Sequence, residues 1–338
     1  MTDAVLSVRN LVVEFPTRRG ILRALDGISF DVGPGEILGV VGESGAGKSI
    51  TGSAIIGLLD PPGRIAGGEI RLKGERIDNL PTERLNRIRG KRIGMVFQDP
   101  LTSLNPLFTV GQQLTETIQH HLRLGERESR QRAIDLLAEV GIPAPEARID
   151  NYPHQFSGGM RQRVVIALAL CAEPDFVIAD EPTTALDVSV QAQVIQVFRR
   201  LCRERGTSAI LITHDMGVIA EAADRVAVLY AGRIAEVGAV RDVLKRPLHP
   251  YTQGLMGSIP SLTGEGERLV QIPGAMPRLN AIPEGCAFNP RCPRVMDICR
   301  RERPPLIDAD GACVTCWLYD ERTEQPPARE APAVGRPA

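Results

Sequence analysis

GESGAGKS, Gly42 to Ser49, fits the pattern G-x-x-x-x-G-K-[S/T]. Glycines in such a loop let backbone N–H groups turn inward around phosphate oxygens, and the helix it opens adds a partial positive charge. Gly42, Ser44, Gly45 and Gly47 would form the cradle, Lys48 would reach the β- and γ-phosphates, and Ser49 would ligate Mg²⁺. The competing reading is a glycine-rich strand-to-helix turn with no ligand. The context favours the phosphate site, because apolar ILGVV precedes the loop and a helical pattern follows. A second group is acidic. FVIADE is an apolar run ending in Asp180 and Glu181. Asp180 is suited to complete the shell of the metal begun by Ser49, and Glu181 to polarise an attacking water. Two solvated acids at a strand end are the plainer alternative. FSGGMRQR, Phe156 to Arg163, places Ser157, Gly158 and Gly159 at a helix start, which suits either an anion or an ordinary N-cap.

Sulfur gives the third group. Five of seven cysteines, Cys286, Cys292, Cys299, Cys313 and Cys316, lie in one short stretch. Structural disulfides are disfavoured if the compartment is reducing. Zinc prefers two close pairs, and only Cys313-x2-Cys316 is close. An iron–sulfur cluster needs four thiolates and tolerates varied spacing, but this spacing matches no common ferredoxin run. Free thiols acting as small apolar residues remain open as well. Cys171 and Cys202 fall in expected helices and read as structural.

The elements that must position these groups alternate. VLSVRNLVVEF alternates like a half-buried strand, and two more strands flank the turn GPGE. Helical patterns follow Gly47, run from Thr109 to Val140, begin again at SGGMRQR, and separate the strands DFVIADEP, SAILITHD and RVAVLYAGRIAEVG. Strands alternating with helices predict an α/β domain with a largely parallel sheet. Beyond about Pro250 the chain is rich in Pro, Gly and Cys, and TEQPPAREAPAVGRPA has a disordered composition. A net charge of −1 gives no basic footprint for nucleic acid. No apolar run approaches the roughly 18 residues of a membrane span. MTDAVLSVRNLVVEF carries charge early, unlike an export signal, so a reducing compartment is expected.

Together these stretches resemble the ATP-binding cassette (ABC) ATPases: GESGAGKS is similar to their Walker A, FVIADE to Walker B, and FSGGMRQR to the signature. Gln98 in MVFQDP resembles the Q-loop glutamine, Asp187 in TTALD the D-loop, His214 in LITHD the switch histidine, and Phe15 the aromatic that stacks on adenine. Met160 departs from the usual signature glutamine. The resemblance implies a P-loop ATPase with a RecA-like core, an antiparallel β subdomain and a helical signature subdomain. It implies ATP and Mg²⁺ as ligands, with Ser49, Gln98 and Asp180 on the metal, and Glu181 and His214 as catalytic residues. It further implies a head-to-tail dimer in which one subunit's Walker A faces the other's Ser157, Gly158, Gly159 and Asp187.

FQDPLTSLNPLFTVGQQL, YPHQFSGGMRQRVVIALAL and HPYTQGLMGSIPSL narrow the resemblance to the dipeptide, oligopeptide and nickel importer ATPases. The implied partners are two membrane-spanning permeases, a second homologous ATPase and an extracytoplasmic solute-binding protein, with no nucleic acid. The implied place is the cytoplasmic face of the cell membrane, held peripherally. The expected function is ATP-driven import of peptides; nickel or another small solute, and a soluble non-transport ABC ATPase, are the alternatives. The expected division is 1–250 for the nucleotide-binding domain (99–170 helical), 251–321 for a Cys-rich extension and 322–338 for a disordered tail. Some members of this branch bind [4Fe–4S] in that extension, and Cys286, Cys292, Cys299 and Cys316 match their cysteines. Cys313 is extra and is a substitute ligand in this reading, with zinc the alternative metal. Arg291, Arg294, Arg300, Arg301 and Arg303 crowd the region, either offsetting cluster charge or simply solvated.

Overall fold

Alternation at the N-terminus produces β1 (Leu6–Thr17), which buries Leu6, Val8, Leu11 and Val13. It pairs antiparallel with β2 (Gly20–Val32). The next strand, β3 (Ile37–Val41), is buried at every position, as a strand covered on both faces must be. A helix, Lys48–Ile56, follows it directly. The chain then returns to the first sheet with β4 (Arg64–Leu72) and β5 (Glu75–Arg76), giving the order β2-β1-β4-β5. The structure, a computed structural model, describes residues 4–184, 186–258 and 271–323. The tail expected at 322–338 lies outside the described residues from 324 onward.

The larger sheet adds β6 (Ile93–Val96), β7 (Phe176–Asp180), β8 (Ser208–Ile212), β9 (Arg225–Tyr230) and β10 (Arg233–Ala239) to β3. A last hairpin, β11 (Ile307–Ala309) and β12 (Ala312–Val314), completes it. The order is β11-β12-β10-β9-β3-β8-β7-β6. From β9 to β6 the neighbours are parallel, and from β9 to β11 they are antiparallel. The α/β class and the separate antiparallel sheet follow the expectation. Strands β4 to β6 and the terminal hairpin do not follow from periodicity, because most are too short to show one.

Between β6 and β7 the helices Val110–Leu122, Glu126–Glu139 and Gly158–Leu170 bury Leu114, Ile118, Leu137 and Val164 in one core. Thr109 starts the first of them with a reciprocal cap. Its Oγ1 accepts the Gln112 N–H at 3.2 Å, and the Gln112 side-chain oxygen accepts the Thr109 N–H at 2.8 Å.

After β10 the chain is pinned by a buried carboxylate. Glu236 is fully buried and accepts the N–H groups of Leu248 and His249 at 2.9 Å each. His249 caps the helix Pro250–Gly257, its Nδ1 accepting the Tyr251 N–H at 3.0 Å. Burial lowers the His249 pKa from 6.5 to about 4. The unfolded chain therefore takes up a proton near pH 6.5 that the fold refuses until about 4, and stability falls as pH drops through that window. At pH 5 the loss is about 2 kcal/mol. Glu236, whose carboxyl burial pushes up, acts in the opposite direction. His249→Asn keeps an N-cap acceptor, so comparison with it isolates the histidine. Urea-unfolding free energies at pH 7 and 5 should fall by about 2 kcal/mol more in the wild type than in the variant; equal falls would mean that His249 is protonated in the fold.

Candidate functional site

The site grows from the carboxyl ends of β3, β8, β7 and β6, where ligands of open α/β sheets bind. At the end of β3, Gly47 holds φ 104° as the N-cap of the following helix. A Cβ there would lie 2.7 Å from the Leu25 side chain and 3.1 Å from the Ala24 carbonyl oxygen, so only glycine fits. Lys48 is buried, and its Nζ donates to the carbonyls of Gly42 at 2.9 Å and Glu43 at 3.2 Å. Burial lowers its pKa, and the charges of Glu181 and Asp180 oppose that. Ser44, Gly45 and Ser49 are exposed on the same loop and at the start of the helix.

Ser49 Oγ donates to Asp180 Oδ1 at 3.0 Å, joining the helix after β3 to the end of β7. Asp180 is 8% exposed. Burial raises its pKa, the Ser49 hydrogen bond and Lys48 oppose the rise, and Glu181 adds to it. A hydroxyl facing a buried carboxylate is an oxygen donor set of the kind Mg²⁺ takes.

Glu181 follows with φ 46°, a left-handed conformation that costs a non-glycine residue about 1–3 kcal/mol and concentrates at functional positions. Its N–H donates to the Ile212 carbonyl at 2.8 Å, tying it to the end of β8. Its carboxylate accepts the Thr184 hydroxyl at 2.8 Å and the Gln98 amide at 3.2 Å, and His214 Nδ1 lies 3.5 Å away. Parallel pairing of β6, β7 and β8 brings these groups together, since Gln98 and His214 each follow a strand end by two residues. Six of the expected residues thus converge: Lys48, Ser49, Gln98, Asp180, Glu181 and His214.

Gly42, Ser44, Gly45 and Gly47 lie in the same loop as Lys48, whereas Phe15, Ser157, Gly158, Gly159 and Asp187 stand apart. Phe15 lies in the small sheet opposite Leu22 and packs against its core. Ser157 caps the helix Gly158–Leu170, its Oγ accepting the Met160 N–H at 3.3 Å, and Asp187 caps Val188–Arg205, accepting the Val190 N–H at 3.0 Å. The two caps are neighbours. A Cβ on Gly159 would overlap the Val190 side chain, and one on Gly158 would lie 3.5 Å from that of Leu186. Among the described residues no hydrogen bond or ion pair joins Ser157, Gly158, Gly159 or Asp187 to the phosphate loop. Met160 packs partly buried against the main core.

All seven cysteines are unpaired thiols. Among the described residues no three His, Cys, Asp or Glu side chains are arranged to hold a metal ion. Burial pushes the Cys316 thiol up to about 12, and Cys286, Cys292 and Cys299 add to the push. The Cys286 N–H also donates to the Cys299 carbonyl at 2.8 Å. Cys313 is different. It sits on β12 opposite Val237 and packs against the core under the small sheet, and the charges that reach it are Asp308 and Arg225. Its expected role as a substitute ligand finds no support in this placement.

Two of the crowded arginines are paired, Arg291 buried and Arg303 still exposed. Arg291 pairs with Glu43 of the phosphate loop at 2.9 Å, its side chain 7% exposed, and Arg303 pairs with Asp26 at 3.2 Å. The sequence pattern also does not reveal Thr184 or Tyr251 as partners of the site, because a lone hydroxyl carries no spacing signal.

Two family signatures match the chain: ABC transporter over residues 25–184, and oligopeptide/dipeptide transporter, C-terminal region, over residues 235–299. The dipeptide transport ATP-binding protein DppD of Bacillus subtilis is 49% identical over 324 residues, covering 95% of this chain and 97% of that protein. The oligopeptide transport ATP-binding protein OppD of Escherichia coli is 49% identical over 304 residues, 90% of each. Among solved structures, the ATP-binding cassette MJ0796 in a dimeric post-hydrolysis state with ADP and Pi matches with TM-score 0.63 and 28% identity. It covers 70% of this chain and 99% of that one. CbiO1 from Clostridium perfringens, part of the ABC transporter complex CbiONQ, matches with TM-score 0.62 and 30% identity, covering 72% and 92%. Sharing nearly half its residues with such proteins along almost its whole length, and carrying both matched regions, this chain belongs to the ABC transporter ATPases that have the oligopeptide/dipeptide transporter C-terminal region.

Proposed function

We propose that this ABC ATPase powers the import of dipeptides or oligopeptides from the cytoplasmic face of the cell membrane. In this reading it docks on two permease subunits, beside a second homologous ATPase, and an extracytoplasmic solute-binding protein delivers the peptide. The observation that carries it is the match of residues 235–299 to the oligopeptide/dipeptide transporter C-terminal region, on the same chain as an assembled ATP site. No helix among the described residues is long and apolar enough to cross a membrane, and the permeases supply the span here. Phe97, Leu101, Leu107 and Phe108, exposed by 44%, 63%, 79% and 47% beside Gln98, offer the apolar surface such docking needs.

For the chemistry, Glu181 is the base that orients and deprotonates the attacking water, and His214 and Gln98 hold its carboxylate and face the γ-phosphate. Ser49, Asp180 and Gln98 would hold Mg²⁺, which supplies charge neutralisation on the phosphates. Phe15 would stack on adenine. Ser157, Gly158, Gly159 and Asp187, which stand apart from their own chain's loop, complete the partner ATPase's site in a head-to-tail dimer. The coupled position of Gly159 and Val190 then lets the two trans elements move as one.

For the cysteines we infer a [4Fe–4S] cluster on Cys286, Cys292, Cys299 and Cys316. Its support is the resemblance of these four positions to the family's cysteines, the backbone hydrogen bond from Cys286 to Cys299, and the separate placement of Cys313. The cluster's role in this reading is to staple a segment with few apolar residues of its own. One strain decides both readings. Cells lacking the chain should lose uptake of labelled dipeptides or oligopeptides, and the wild-type gene should restore it. Loss of nickel uptake alone, or a chain that never co-purifies with a permease, would overturn peptide import. The complex purified anaerobically from the restored strain should contain iron and acid-labile sulfide; zinc without iron would overturn the cluster.

A further inference from the structure

The C-terminal segment touches the nucleotide site directly. Arg291 lies in the short loop between Cys286 and Cys292, 248 positions along the chain from Glu43 in the phosphate loop. Its guanidinium grips both carboxylate oxygens of Glu43, Nη1 to Oε2 at 2.9 Å and Nη2 to Oε1 at 3.0 Å. The same group donates to the Tyr230 hydroxyl at 3.3 Å and, through Nε, to the Pro273 carbonyl at 2.9 Å. A second contact meets the same residue from another element. The Glu43 N–H donates to the Tyr251 hydroxyl at 2.9 Å, and Tyr251 is fully buried. Tyr230, Tyr251 and Phe288 pack ring against ring, with centroids 4.6–5.5 Å apart, and seat both contacts. A third contact reaches Gly45, where a Cβ would lie 3.0 Å from the Met276 methyl.

We propose that Arg291 is a positioning residue for the nucleotide site: it holds the Glu43 carboxylate away from the phosphate cradle and cancels its charge, so that the loop accepts a triphosphate. The physical need is plain. Glu43 puts a negative charge in a loop built to receive several more, and like charges at short range in a partly desolvated site repel strongly. A planar fork that engages both oxygens fixes the carboxylate's direction as well as its charge, which a lysine does not. The proposal rests on the chain being an ATPase, and wild-type hydrolysis in the same assay reports on that separately.

The test is steady-state ATP hydrolysis by the full-length chain at saturating Mg²⁺. Arg291→Ala should raise the KM for ATP roughly tenfold, the order an uncompensated neighbouring charge produces, and leave kcat within about threefold. Arg291→Lys should fall between, at roughly threefold in KM. Adding Glu43→Gln to Arg291→Ala removes the charge that needs cancelling, and should return KM to within about threefold of the wild type. An unchanged KM in Arg291→Ala overturns the proposal. So does a double variant no better than Arg291→Ala, since a purely structural link would lose the same pair in both. If Arg291→Ala fails to fold, Arg291→Lys with and without Glu43→Gln gives the same comparison.

Discussion

Glu181→Gln should bind MgATP like the wild type and hydrolyse it about 10²–10⁴-fold more slowly, the usual worth of a general base. The substitution is well suited to this site. A glutamine keeps an oxygen for the Thr184 hydroxyl, which now meets Glu181 at 2.8 Å, and keeps the length that reaches Gln98 and His214. What it loses is the ability to take a proton. The left-handed backbone at position 181 is unchanged by the swap, so the strain already present is neither relieved nor increased. Single-turnover hydrolysis and nucleotide affinity, measured on one preparation, separate the two effects. Wild-type turnover would remove Glu181 from the role, and attention would pass to His214.

Gly42→Ala should weaken MgATP binding at least about a hundredfold and lower stability by about 3 kcal/mol. The reason lies in the sheet. A Cβ at position 42 would overlap the Leu229 carbonyl oxygen of β9, a backbone atom rather than the end of a flexible side chain. β9 is held between β3 and β10 by its own ladders, so it cannot yield, and the phosphate loop must lift instead. Lys48 donates to the Gly42 carbonyl and would be displaced with it. Isothermal titration with MgATP and urea unfolding check the two parts; an affinity within threefold of the wild type would show that the loop has room the structure denies it.

The phosphate loop and the acidic strand end are legible in sequence because each is local. Gly47 needs its left-handed turn where the helix starts, and the apolar run before Asp180 and Glu181 marks β7 and its end. His214 is not legible by itself. A lone histidine after a strand gains meaning from its place after FVIADE and TTALD, and parallel pairing then sets it 3.5 Å from Glu181. Ser157 shows the opposite case: the local cap reading is what this chain displays, and a trans role needs a second molecule. The C-terminal segment was the least legible. Its arginines read either as offsetting the charge of a cluster or as solvated, yet Arg291 and Arg303 are paired with Glu43 and Asp26 far away in the chain, and no spacing rule reports a contact of that range. The hairpin β11–β12 has three residues per strand, too few for alternation to show, so its place beside β10 emerges only from the fold.

That hairpin has a consequence for how the molecule avoids its own kind. Without it, β10 would be the rim of the large sheet, a seven-residue strand mostly buried in its setting, with a row of backbone donors and acceptors open to any passing strand. Such a rim templates intermolecular pairing. The hairpin occupies the rim and replaces it with β11, which is three residues long and carries Asp308, a short and charged border that offers little to extend. A chain ending before Ile307 would keep the residues of its ATP site but bare a sticky margin, so the last described strands act as a hem against aggregation.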